Sequence, residues 1–199
     1  SIGCAITLPF EEGRNQFLGT QTDFHYFFIR KFFLVAYSRA FFFLEGGAGT
    51  RDELWEVFCL IQTGKMPITP LIAVGEPAAW QSVRADLTHM AERGTISPDD
   101  VHMLRFADSP AKALEIVRDF YRRVTGVRYD KTTRTIQIGL KSDLTRDELA
   151  AIEKRFSQRF SGVRWHPDQR LLAISQFNLR SYATVYELVE VLNGTASGS

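Results

Sequence analysis

At 199 residues, 45% of them hydrophobic, the chain is long enough for one α/β domain and a small second one, and too apolar to be disordered. Its 24 Lys and Arg nearly balance 23 Asp and Glu, which removes any electrostatic case for nucleic acid or a membrane surface as partner. An anionic ligand would have to be held locally. Cys4 and Cys59 lie in apolar contexts and read as buried free thiols in a reducing, cytoplasmic compartment, and the four histidines lack ligand spacing, so no metal site is expected.

In chain order, Ser1 to Pro9 reads as a buried strand, and Glu11 to Gln21 as a polar loop leading to Asp23, a candidate helix cap. A doubly wound sheet seldom starts so abruptly before its main ligand loop, so further sequence upstream is expected. Phe24 to Tyr37 is apolar on almost every side and is expected to be a buried helix, although Arg30 and Lys31 sit in its middle. It is too short and too charged to span a bilayer. Buried cations are costly unless paired, so an anionic partner is expected for Arg30, with snorkelling or a core carboxylate as the alternative for either cation.

The stretch from Phe41 to Glu53 joins an apolar run to a glycine-rich turn and an amphipathic pattern, which predicts strand, loop and a helix from about Thr50 to Gln62. Gly46, Gly47 and Gly49 would allow positive φ and close approach of a ligand, while the helix start offers unpaired N–H groups to a phosphate. Thr50-Arg-Asp-Glu53 is equally a capping box, and both readings fit Glu53. The spacing is neither the Walker pattern nor G-x-G-x-x-G.

Pro70 to Gly75 reads as a second buried strand. Pro77 then opens a helix with Trp80, Val83, Leu87 and Met90 inward, followed by a turn at Ile96 to Asp100 and a short strand near Val101 to Phe106. Ser109 and Pro110 begin another helix, with Leu114, Val117, Phe120 and Val124 inward. This alternation predicts an α/β fold with a mainly parallel sheet, helices on both faces, and a ligand beyond the strands' carboxyl ends, where the Gly46 loop lies.

After Gly126 the pattern changes. Val127 to Ile138 and Val163 to Ile174 match at an offset of 36 residues, and each copy reads as a hairpin followed by a helix, the first opened by the capping box Thr145-Arg-Asp-Glu148. The expected organisation is residues 1–126, a small α+β domain of two ββα repeats over 127–194, and a loose tail over 195–199. With 11 basic and 8 acidic residues from Val127 to Ser199, the repeat is too mildly charged to argue for nucleic acid. An interaction or regulatory role is expected for it.

Taken together, Arg30-Lys31 on a helix and Glu45-Gly-Gly-Ala-Gly-Thr-Arg-Asp-Glu53 resemble the LONELY GUY (LOG) family, long mislabelled as lysine decarboxylases. Its signature is an Arg-Lys pair followed by P-G-G-x-G-T-x-x-E. Leu8-Pro-Phe-Glu11, Ile61-Gln-Thr-Gly64 and Ile96-Ser-Pro-Asp99 are similar to the longer bacterial branch, and the resemblance covers about Ser1 to Tyr121. It implies a Rossmann-like, usually dimeric hydrolase that splits AMP or a cytokinin riboside 5′-monophosphate into free base and ribose 5-phosphate, without a cofactor. It further implies that Gly46, Gly47, Gly49 and Thr50 hold the 5′-phosphate, that Arg30 and Glu53 are catalytic, and that Lys31 contacts substrate; Glu45, beside the expected phosphate cradle, is a further candidate substrate contact. The chain departs from the family where Glu45 replaces the proline and where the family's upstream glycine-rich loop would stand. The competing expectation is a nucleotide-binding or assembly module that has kept the fold and lost the chemistry. Nothing marks the pyridoxal phosphate lysine that a decarboxylase would need.

Overall fold

The computed structural model describes residues 1–7, 15–160, 162–175, 177 and 183–194. The Leu8 to Glu11 motif and the tail over 195–199 lie outside the described residues. The chain divides into two units, Ser1–Arg39 and Ala40–Ser199.

In the first unit, β1 (Ile2–Ile6) and β2 (Thr20–Phe24) pair in parallel, and α1 spans Phe27–Ala36. Two expectations are corrected here. Thr20-Gln-Thr-Asp-Phe24 is a strand rather than the end of a loop, so Asp23 sits in β2 and the α1 cap is Tyr26. Moreover, α1 has no buried residue: Phe28 is 70% and Phe32 65% exposed, and Tyr26, Phe27, Phe33 and Tyr37 are exposed as well. A helix that is apolar all round cannot be enclosed by a two-stranded ribbon, which covers one side at most. Residues of β1 are likewise at best half-buried.

The second unit begins with β3 (Phe41–Leu44), α2 (Ala48–Gln62), β4 (Leu71–Val74), α3 (Gln81–Glu92), β5 (Leu104–Ala107) and α4 (Pro110–Phe120). The strands form a parallel sheet in the order β3-β4-β5, registered Phe41 to Leu71 and Leu71 to Leu104. Every residue of the central strand β4 is buried, as expected of an apolar run covered on both faces. On one face Ile72, Val74 and Ala107 pack against Ala113, Ile116 and Val117 of α4. Leu114 is exposed, because the α4 stripe is rotated by one position from the expected one, and Val124 belongs to the next strand. Residues 54, 57, 58 and 61 form the buried stripe of α2, which leaves Cys59 exposed on the other side. Both thiols are free, but Cys4 is only half-buried, so neither is the buried cysteine its apolar neighbours suggest.

The remaining elements are β6 (Val124–Asp130), β7 (Thr135–Leu140), α5 (Arg146–Phe156), β8 (Val163–His166), β9 (Leu171–Ile174) and α6 (Ala183–Asn193). Their strands form a separate antiparallel sheet in the order β6-β7-β9-β8. The two segments that match in sequence share one backbone feature. Arg134 and Arg170, equivalent at the 36-residue offset, both adopt positive φ, at 52° and 48°. Within this unit Tyr186 of α6 donates its hydroxyl to the Thr69 carbonyl at 2.7 Å, and Asn193 donates to the Phe120 carbonyl at 2.7 Å. Mixed α/β structure with parallel strands and covering helices is thus observed, joined to an antiparallel sheet. No described helix is long and apolar enough to cross a membrane.

The capping box at α5 forms as expected: the Glu148 amide donates to Thr145 Oγ1 and the Thr145 amide to Glu148 Oε2. Arg123 grips the same carboxylate with Nη1 at 2.5 Å and Nη2 at 3.2 Å. The guanidinium first, and the Thr145 amide second, pull the Glu148 carboxyl from 4.5 down to about 2. A depressed carboxyl stabilises the fold above its unfolded value and loses that contribution as pH falls through the folded one. Glu148→Gln, which keeps the box, is expected to cost about 1 kcal/mol at neutral pH, discounted for solvent exposure. That difference from wild type should shrink between pH 4.5 and about 2 in urea unfolding curves.

Candidate active site at the start of α2

The carboxyl ends of β3, β4 and β5 lie at one end of the parallel sheet, followed there by Glu45 to Gly47, by Gly75-Glu76 and by Asp108-Ser109. Helix α2 begins at Ala48, two residues earlier than its periodicity suggests, because Gly47 is the last extended residue (φ −84°, ψ −150°) and acts as the N-cap. Thr50 is therefore the third residue of the helix, and the T-x-x-E pattern does not cap it. That corrects the capping-box reading, since a cap residue must itself be non-helical. The amides of Ala48, Gly49 and Thr50 occupy the first turn, where helical N–H groups have no partner within the helix. Arg51 N is the first to bond back, to the Gly47 carbonyl at 3.2 Å.

The glycines are also not used as expected. None of Gly46, Gly47 and Gly49 has a positive φ. At Gly46 a Cβ would collide with Thr50 Oγ1, so the absence of a side chain lets that hydroxyl fold back over the loop. At Gly47 and Gly49 a Cβ would meet no atom within 4 Å. Neither backbone conformation nor packing within the chain requires glycine at these two positions.

Glu53 is half-buried, one turn along α2, and shares a helix face with Gly49 and Thr50, which precede it by four and three residues. Its Cα–Cβ bond tilts, as in any helix, toward the amino end and hence toward the loop. Glu45 is committed elsewhere: its Oε1 accepts from the Glu76 amide at 2.7 Å, bridging the carboxyl ends of β3 and β4. That carboxylate occupies the space where a Cβ at Gly75 would lie, and Gly75 has φ +138°. Arg51 braces the first turn of α2 by donating to Ser82 Oγ at 3.1 Å, with its guanidinium 5.5 Å from the Trp80 ring. Trp80 is anchored in turn by its indole N–H on the Val74 carbonyl, at 3.2 Å. Sequence reasoning missed Arg51, Gly75 and Glu76 as supports of the loop; only the glycine closing β4 left a trace, as a strand-end signal.

Arg30 and Lys31 belong to the other unit, on α1, where both are half-buried. Arg30 Nε donates to the Cys4 carbonyl at 2.9 Å and ties α1 to β1. Gly46, Gly47, Gly49, Thr50 and Glu53 are thus gathered on one loop and helix start, while the Arg-Lys pair is presented by a different element.

The family described as "possible lysine decarboxylase" matches residues 1–117, more than half of the chain. The chain belongs to this family, the LOG family. It is also 31% identical over 111 residues to the cytokinin riboside 5′-monophosphate phosphoribohydrolase LOG1 of Arabidopsis thaliana, a match covering 56% of this chain and 52% of that protein. The chain therefore spans about half the length of the curated relative it matches. Family membership covers the elements from β1 to the larger part of α4, and the antiparallel sheet lies outside it.

Proposed function

We propose that the chain carries nucleoside 5′-monophosphate phosphoribohydrolase chemistry, with a Rossmann-like fold and with AMP or a cytokinin riboside 5′-monophosphate as substrate. The observation that carries this reading is the pair Gly47 and Gly49. Two glycines that the fold does not need stand at a helix start where phosphate is favoured, which is what a ligand drawn close to the backbone would demand.

In this reading the 5′-phosphate sits on the Gly46 to Thr50 turn, held by first-turn amides and the Thr50 hydroxyl. As the bond between the base nitrogen and C1′ breaks, positive charge develops on the ribose, and the Glu53 carboxylate stabilises it. Water adds its oxygen to C1′, one of its protons ends on the departing base, and ribose 5-phosphate remains. Arg30 and Lys31 take their roles from the family resemblance, Arg30 as the catalytic partner of Glu53 and Lys31 as a substrate contact. Glu45, engaged with Glu76, supports the loop and lines the substrate side of the site. The exposed aromatic face of α1 fits the homodimer expected of the family. The ββα repeat serves as a small domain with an interaction or regulatory role.

The test is to supply AMP and adenosine at equal concentration and follow release of adenine and ribose 5-phosphate. AMP is expected to be cleaved and adenosine to be inert, because the phosphate is the recognised group. Equal rates on both would remove the cradle from the explanation. AMP binding without release of adenine would favour the nucleotide-binding module instead.

A further inference from the structure

Along the open edge of β5, a cleft of about 500 Å³ lies between that strand, α3 and the 3-10 turn Pro98–His102. That volume lies within the range of small-molecule sites. Its apolar floor is offered by Val101 and Phe106, over the buried Leu87 and Leu104, and its hydrogen-bonding side chains are Arg84, Arg105, His102 and Thr88, with no carboxylate among them. The chain as a whole is nearly neutral, so this concentration of donors is local.

Arg84 is the most informative of them. Its guanidinium lies over the Phe106 ring, 3.5 Å from the centroid. Stacking of this kind restricts the guanidinium plane without using its N–H donors. Among the described residues Arg84 meets no carboxylate. Arg105 is paired with Glu190 of α6 at 2.6 Å, which uses one of its amino groups and leaves further donors of the fork. A stacked cation without a counter-ion and a second, tethered guanidinium form a pre-set receptor for an oxyanion.

We propose that this cleft is a second ligand site, separate from the α2 loop, which takes a small phosphate monoester. Donors from α3, from β5 and from the turn before it approach from different elements. A tetrahedral phosphate offers acceptors in several directions, whereas one arginine fork alone satisfies a planar carboxylate. The apolar floor suits the organic part of the ester. The proposal does not depend on the activity assigned to the α2 loop.

The experiment is an amide NMR titration of the full chain with inorganic phosphate and with phenyl phosphate. Saturable shifts are expected at Thr88, His102 and Phe106, with phenyl phosphate the tighter probe because its ring reaches the floor. Arg84→Gln should weaken binding at these amides by about tenfold or more, while the midpoint for any shifts at Gly46 to Thr50 stays where it was. Arg84→Lys keeps the charge and the stem but loses the fork, so it should weaken binding by a smaller factor and serves should the glutamine variant not fold. Shifts confined to Gly46 to Thr50, or cleft shifts with the same midpoint in both Arg84 variants, would overturn the proposal.

Discussion

Glu53→Gln is expected to lower turnover of AMP by about two to four orders of magnitude while leaving the melting temperature almost unchanged. The residue stays half-exposed on the second turn of α2, and Gly47 rather than Thr50 caps this helix. Glutamine preserves size and helix propensity and removes only the negative charge. A carboxylate that stabilises a ribosyl cation loses its function with that charge. Arg30→Lys sharpens the test, since lysine keeps the charge and loses the planar two-point grip. Its bond to the Cys4 carbonyl is a single Nε contact, so loss of that contact alone should cost only about 1 kcal/mol of stability. Groups that act as one catalytic unit are not additive, so the double variant should be scarcely slower than either single one. Wild-type turnover in Glu53→Gln would end the catalytic assignment of this residue.

The parts of the fold legible in the sequence are those where one physical signal dominates. Pro70-Leu-Ile-Ala-Val-Gly75 has no polar residue and can only be a doubly covered strand, and β4 is buried along its length. Thr145 to Glu148 is a cap because the following stripe places Ile152 and Phe156 inward, and the box forms. At α2 the same T-x-x-E letters mislead. Gly47 takes the extended conformation first, so the helix runs through Ala48 and Gly49, and helix propensity gives no warning that a glycine will be recruited into a first turn. β2 was illegible because Thr20-Gln-Thr-Asp is polar on both faces; it is a strand through its pairing with β1. The composition of α1 suggests burial, but composition sets only what a surface prefers, and the residues of Ser1–Arg39 cannot enclose it.

For the candidate site, the sequence exposed the residues that stand together in the chain and hid those that meet through the fold. Gly46 to Glu53 forms one loop and helix start, as read. The bond from the Glu76 amide to Glu45 joins positions 31 apart, and no local pattern announces it. The stacking of Arg84 on Phe106 arises only once α3 has packed against β5. Both belong to tertiary structure, where partners are chosen by the sheet order rather than by spacing.

The glycines allow a test in which stability and function should move in opposite directions. Gly49 lies inside the first turn of α2, and its Cβ would find open space, so Gly49→Ala should raise stability by about 0.5–1 kcal/mol through the lower entropy of the unfolded chain. Gly47→Ala should be close to neutral for stability, since φ −84° suits any residue and nothing stands within 4 Å. If a phosphate is drawn onto this turn, a methyl group there occupies the volume of the ligand, and the KM for AMP should rise by about tenfold to a hundredfold, equivalent to losing one or two charge-assisted hydrogen bonds. Gly46→Ala is the control with the opposite cause, because its methyl meets the Thr50 hydroxyl and should destabilise the loop with or without ligand. Unfolding curves and AMP kinetics on the three variants separate the two origins. A more stable Gly49→Ala with an unchanged KM would show that the open space above the turn is not where the phosphate binds.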